Sequence, residues 1–280
     1  MILTRAAGAQ SASVVAAPCV RECLLSVMER FLAALQAGTA GPLLTSDAEV
    51  RENARLRRPE DTAWKTVKAV RSVMTFADPL TGNVVSRAGV ELDNGRAAYI
   101  STRLKVIGNG RISDVEISAD TSPAVVAAYV WNLDPVFASV VLPEQRSDRP
   151  ALEAVARRYF HSLSSHVAVT TDFSVRCNRF HSGQQVTNVT DSTVEARAPR
   201  TCAAALEGNP PWGPATEHRL PVIDPERGIV FGMTLLHFLN RSDQAHMYVS
   251  EIFKVIDGRI VRIDNIGLML EDVATLGFTH

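Results

Sequence analysis

Three segments recur in the same order along this 280-residue chain, and that internal repeat restricts the fold more than any other feature of the sequence. Glu29-Arg30-Phe31-Leu32-Ala33-Ala34-Leu35 is answered by Arg157-Arg158-Tyr159-Phe160-His161-Ser162-Leu163. Asp78-Pro79-Leu80-Thr81-Gly82 is answered by Asp224-Pro225-Glu226-Arg227-Gly228, with an apolar run directly after each. Arg103-Leu104-Lys105-Val106-Ile107, Gly110-Arg111-Ile112 and Val115-Glu116-Ile117 are answered by Ile252-Phe253-Lys254-Val255-Ile256, Gly258-Arg259-Ile260 and Ile263-Asp264-Asn265-Ile266. The offset is 128 at Phe31/Tyr159, 146 at the Asp-Pro turn and 149 at Lys105/Lys254, so the second copy carries an insertion ahead of its turn.

Each copy opens with an amphipathic helix, over 22 to 37 and 149 to 165; in the first, Leu24, Val27, Met28, Phe31, Leu32 and Leu35 recur at helical spacing. Irregular sequence follows. Strands come last, over 84–92, 97–107 and 111–118 in the first copy and 229–239, 246–256 and 259–270 in the second. Asp93-Asn94-Gly95, Asn109-Gly110 and Asp257-Gly258 are hairpin turns by residue type. A helix followed by an antiparallel meander is an α+β pattern, since a parallel α/β sheet needs helices between its strands. The expected organisation is a poorly ordered segment 1–18, a first unit 19–133, a linker 134–150 rich in proline and charge, and a second unit 151–280.

Charge and hydropathy exclude some functions. Lys and Arg number 29 against 30 Asp and Glu, so no bulk field draws the chain to nucleic acid. Apolar stretches such as Pro123 to Val130 fall short of the ~20 residues that span a bilayer, and no membrane partner is expected. The first 18 residues have no continuous apolar run and read as a frayed start rather than a signal peptide. Four cysteines, Cys19, Cys23, Cys177 and Cys202, include no C-x-x-C pair, and three pairings are open. Localisation stays open between cytosol and export.

The chain lacks G-x-G-x-x-G, the phosphate-binding loop, H-E-x-x-H and G-x-S-x-G. No nucleotide cofactor and no metal are expected. What remains is general acid–base chemistry in an apolar pocket that shifts a carboxylate or imidazole by desolvation. His181 titrates near neutrality and can take and give a proton, although with Arg179, Ser182 and Gln184 around it a surface loop is the plain alternative. His237 interrupts the apolar run Val230 to Leu239, where it needs a hydrogen-bond partner. Tyr159 stands where the first copy has Phe31 and could donate to an oxyanion, or simply fill core. Glu251 shares a strand face with Val249 and Phe253; if that face is concave it is a buried base, and if the other face is, Tyr248, Ser250 and Lys254 point inward, with Tyr248 against the substrate. Asp264 matches Glu116, which favours a shared structural role over catalysis. The insertion, Thr201 to Leu206 and then Gly208-Asn209-Pro210-Pro211-Trp212-Gly213-Pro214, reads as a short helix and a stiff loop, with Trp212 either a lid over an apolar ligand or a cap on the core.

The closing pattern F-K-V-x-D-G-R-I-x-x-I-D/E after a helix and a long middle segment resembles the nuclear-transport-factor-2-like (NTF2-like, SnoaL-like) superfamily. A closer resemblance is to fungal and bacterial proteins built from two such units, whose copies open like Cys19-Val20-Arg21-Glu22-Cys23-Leu24 and carry C-x-R-x-E-N-G. Here that segment is Cys177-Asn178-Arg179-Phe180-His181-Ser182-Gly183, and in the first copy Val50-Arg51-Glu52-Asn53-Ala54. The resemblance covers residues 19 to 270, and departs from the pattern where His181-Ser182 replaces Glu-Asn. It implies two tandem cone-shaped α+β barrel units, each with helices packed on a curved antiparallel sheet. Cysteines are frequent in that group at the positions of Cys177 and Cys202, so these two are expected to lie close enough to bridge.

The superfamily holds isomerases, cyclases, dehydratases, epoxide hydrolases, lyases that release formaldehyde, and binding modules. The resemblance therefore implies a cofactor-independent lyase or isomerase acting on a small apolar, aromatic alcohol, seated mainly in the second unit, which holds all seven histidines. The alternatives are a non-catalytic module that binds a small molecule or a protein, and an epoxide-type hydrolase. Self-association into a homo-oligomer is compatible with the sequence.

Overall fold

The computed structural model describes residues 19–189, 201–207, 212–238, 246–273 and 275–278. The expected frayed start falls outside them. Two α+β units follow one another, each a long helix laid across a six-stranded curved sheet. In the first, α1 (Arg21–Gln36) is followed by β1 (Leu44–Glu52), β2 (Arg55–Leu56), β3 (Val67–Asp78), β4 (Asn83–Leu92), β5 (Ala97–Val106) and β6 (Ile112–Asp120). A short α2 (Ala127–Val130) leads across to α3 (Arg149–Ser165). The second unit continues with β7 (Phe173–His181), β8 (Gln184–Gln185), α4 (Cys202–Glu207), β9 (Trp212–Asp224), β10 (Ile229–Phe238), β11 (His246–Ile256) and β12 (Arg259–Leu270). The spatial orders, β2-β1-β6-β5-β4-β3 and β8-β7-β12-β11-β10-β9, are the same in both.

The repeated residues explain the repeated shape. α1 buries Leu24, Val27, Met28, Phe31, Leu32 and Leu35, the stripe its spacing requires. α3 starts at Asp148, whose side chain accepts from the Ala151 N–H, and ends at His166 in the left-handed region. Both Asp-Pro turns close on a glycine, Gly82 (φ 68°) and Gly228 (φ 58°), where a Cβ would strike the carbonyl oxygen of Val106 or Val255 at 2.6 and 2.1 Å. Lys105 and Lys254 then donate 2.6 Å hydrogen bonds to turn carbonyls, Thr81 O and Arg227 O. Burial pushes the Lys254 ammonium down to about 8.

The segments expected to be irregular hold strands in both units. β1 carries one buried residue, Val50, among polar and half-exposed ones, and β7 is nearly as exposed, so neither shows the alternation that marks a strand. Backbone pairing fixes them instead: β1 runs parallel to β6, and β7 parallel to β12. The sheets are mixed rather than purely antiparallel, because the strand that follows each long helix lies beside the last strand of its unit, and the intervening strands make the connection that a parallel pair needs.

The faces opposite the helices pack on each other. Met74, Phe76 and Val85 meet Val222, Ile229, Phe231, Met233, Tyr248 and Ile252, with Phe137 inserted from the connecting segment. Arg87 crosses this junction to Asp264 (3.0 Å) and Ser250 O (3.0 Å). The contact has two-fold character, because Arg21 at the start of α1 grips Asp224 in the second unit's turn (2.6 and 2.9 Å), while Arg149 at the start of α3 grips Asp78 in the first unit's turn (2.7 and 3.0 Å). Disulfides join Cys19 to Cys23 and Cys177 to Cys202, the second with Cα atoms 5.9 Å apart. No helix among the described residues is long and apolar enough to cross a membrane.

Candidate active site in the second unit

Strand alternation alone leaves two inward faces open for β11, and packing against α3 selects one. Val249, Phe253 and Val255 join Leu152, Val155, Tyr159 and Phe160 of α3 in one core, whereas Tyr248 and Ile252 belong to the core between the sheets. Glu251 therefore lies under α3, fully buried. Its Oε1 accepts hydrogen bonds from the Tyr159 hydroxyl (2.8 Å), the Asn265 amide (3.1 Å) and the Arg179 guanidinium (3.3 Å). Asn265 sits directly opposite it in the β11–β12 ladder, and Arg179 comes from β7, two residues beyond the disulfide-bonded Cys177 on the same face. Phe253 and Phe173 present aromatic edges to Tyr159, with centroids 4.8 and 6.3 Å away. Burial pushes the Tyr159 phenol well above its ordinary range, so it stays a proton donor at neutral pH.

His181 is the next residue along that face of β7 and pairs with Asn265 in the parallel ladder. Its ring occupies the place a side chain on residue 267 would take: a Cβ on Gly267 would lie 2.5 Å from His181 Cε1. Burial, and then the charge of Arg179, hold the imidazole below its ordinary value, so it is neutral at pH 7. Glu251 Oε2 and Arg179 Nε are buried without a hydrogen-bond partner among the described residues.

The first unit, read through the same ladders, offers none of this. Thr102 pairs with Ile117 as Glu251 pairs with Asn265, and Val50 and Glu52 occupy the places of Arg179 and His181. Trp64 fills the space beneath α1, 1% exposed, with its indole N–H donating to the Thr102 hydroxyl at 3.1 Å. Glu52 stays at the rim, accepting from the Ala63 N–H (2.6 Å), with burial raising its carboxyl above the usual range. It borders an open, polar cleft of about 470 Å³ shared with Asn53, Asp61, Lys65 and Arg96.

The other candidates lie elsewhere. Asp264 is at the junction between the sheets, held by Arg87 and by the hydroxyls of Tyr99 and Tyr129 (2.8 Å each), and burial raises its carboxyl. The Tyr248 hydroxyl shares a 2.7 Å hydrogen bond with Ser118 of the first unit. His237, at the end of β10, pairs with His246 across the ladder, ring centroids 4.4 Å apart. Trp212 opens β9 opposite Phe238, and residues 208–211 of the expected lid lie outside the described residues. Arg179 and Asn265 are the side chains that sequence reasoning passed over. Comparison of the two copies carries their signal, since each puts a polar group where the first copy has Val50 or Ile117. Among the described residues no three His, Cys, Asp or Glu side chains gather as a metal site.

A model of a domain of unknown function, DUF8021, matches residues 145–267, from just ahead of α3 to the inner part of β12. No curated protein matches the sequence. Among solved structures the chain is similar to AusH of Aspergillus nidulans, at 14% identity over 44% of this chain and 99% of that one, with a TM-score of 0.32. It is similar to PrhC of Penicillium brasilianum, at 12% identity over 36% of this chain and 82% of that one, with a TM-score of 0.29. It is also similar to an NTF2-like protein of unknown function from Cytophaga hutchinsonii, at 16% identity over 35% of this chain and 89% of that one, with a TM-score of 0.27. Each unit, with one long helix across a curved six-stranded mixed sheet, has the NTF2-like arrangement.

Proposed function

We propose that the second unit is a cofactor-independent acid–base site that acts as a lyase or isomerase on a small, largely apolar, aromatic alcohol. The observation that carries this reading is the 2.8 Å contact between Tyr159 and Glu251 beneath α3, with the second carboxylate oxygen left over. Phe160, Phe173 and Phe253 pack around this contact, so a proton exchanged there passes between the two side chains and the substrate rather than to solvent. For loss of formaldehyde, Glu251 Oε2 takes the proton of the substrate's hydroxymethyl group, the C–C bond breaks to release formaldehyde, the carbon left behind takes the proton of Tyr159, and the Tyr159–Glu251 contact then passes the first proton back to the phenolate. Arg179 sits where negative charge develops, and neutral His181 stands beside Asn265 as the second proton carrier.

The test is a panel of aryl and diaryl alcohols incubated with the purified chain, with products lacking water or formaldehyde detected by mass spectrometry. Glu251→Gln and His181→Ala should each lower kcat by ~10²-fold or more, the usual contribution of a positioned proton carrier. Glu52→Ala should change it little. An inactive but folded Glu52→Ala beside an active Glu251→Gln would move the chemistry to the first unit, and binding of the alcohols without turnover would make the site a binding module.

A further inference from the structure

Arg179 and Glu251 meet through one edge of each group. Nη2 reaches Oε1 at 3.3 Å, while Nε, a donor, and Oε2, an acceptor, are buried and have no hydrogen-bond partner among the described residues. Asn265, on the neighbouring strand, is shared between Glu251 and the His181 ring. Buried polar groups without partners are rare in folded proteins because each one forfeits its hydration. A donor and an acceptor left open on adjoining edges of one ion pair define the group that would satisfy both.

Resting on the reading of Glu251 as the centre of the site, we infer that the second unit recognises a neutral hydroxyl, which accepts from Arg179 Nε–H and donates to Glu251 Oε2, and that it rejects anionic ligands. A carboxylate would satisfy Arg179 but set a second negative charge against Glu251. An ammonium would do the reverse. A ketone or ether oxygen would accept from Nε and leave Oε2 without a donor; one hydroxyl serves both with a single atom. The ligand has to enter among side chains already packed around Tyr159, Phe160, Phe173 and Phe253 among them. It approaches from the Arg179 side, since the Arg179 side chain is 16% exposed and that of Glu251 0%.

Three matched probes test this without a known substrate: 2-naphthol, naphthalene and 2-naphthoate, titrated into the full chain at pH 7 by equilibrium dialysis. The hydroxyl should make 2-naphthol bind roughly tenfold or more tightly than naphthalene, because without it a buried donor and acceptor stay unpaired. 2-Naphthoate should bind at least tenfold more weakly than 2-naphthol. Glu251→Gln, which keeps the shape and removes the negative charge, should reverse the order and favour 2-naphthoate on Arg179. Equal binding of 2-naphthol and naphthalene, tight binding of 2-naphthoate to the wild-type chain, or no binding of any probe overturns the inference. The expected order with no turnover of any alcohol leaves the hydroxyl site standing and removes the catalytic reading instead.

Discussion

Replacing Trp64 by alanine tests whether the first unit is filled by this side chain. The side chain is 1% exposed and lies under α1 with its indole hydrogen-bonded to Thr102. Burying roughly 200 Å² of aromatic surface at about 25 cal/mol per Å² is worth about 5 kcal/mol, and relaxation of the surrounding walls recovers part of it. The net loss should fall at about 3–5 kcal/mol, as for other buried large-to-alanine changes. Against a total stability of about 5–15 kcal/mol that is a large share, visible in urea denaturation and as a fall in Tm on the order of 10 °C. The void should accept free indole, restoring up to about 2.7 kcal/mol at a hundred times its dissociation constant. Indole should not stabilise the wild-type first unit, which has no room for it. A loss below ~1 kcal/mol, or equal stabilisation of both proteins by indole, would show that Trp64 does not plug the first cone, and the assignment of chemistry to the second would lose its contrast.

Two further outcomes follow from the junction and the disulfides. Asp78→Asn and Asp224→Asn each break one of the reciprocal clamps, so their costs should agree within ~1 kcal/mol and lie at about 1–3 kcal/mol by urea titration; a one-sided loss would contradict the two-fold contact. Cys177 and Cys202 are 25 residues apart and Cys19 and Cys23 four, so loop-closure entropy makes removal of the first bridge by serine substitution cost roughly 3.5 kcal/mol, about twice the second, and equal losses under non-reducing conditions would refute that ordering.

The repeat made the architecture legible because its most conspicuous matches, the Asp-Pro turns and the Lys105/Lys254 strands, are residues with the same local duties in both units. β1 and β7 were not legible, since strands held mainly by backbone pairing at a sheet's side need no apolar alternation. In the site, the type of Glu251 was readable but its direction was not. A period of two gives two equivalent faces, and the choice is made by α3, some 90 residues earlier in the chain. Tyr248 and Asp264 carry polar groups as telling as those of Tyr159 and Glu251, yet they serve the junction, whose existence no local pattern announces.

The reciprocal grip of Arg21 on Asp224 and Arg149 on Asp78 is how two identical subunits would hold each other, but here both lie on one polypeptide. In a dimer of identical chains every substitution is made twice, so a tryptophan that plugs one cone plugs both. Joined in a single chain, the copies are free to diverge: one can trade its cavity for rigidity and give Arg87, Tyr99 and Tyr129 to brace the back of its partner's sheet, while the other keeps charged groups buried in its interior. Separating the two halves would therefore strand a stable shell on one side and an unsupported site on the other.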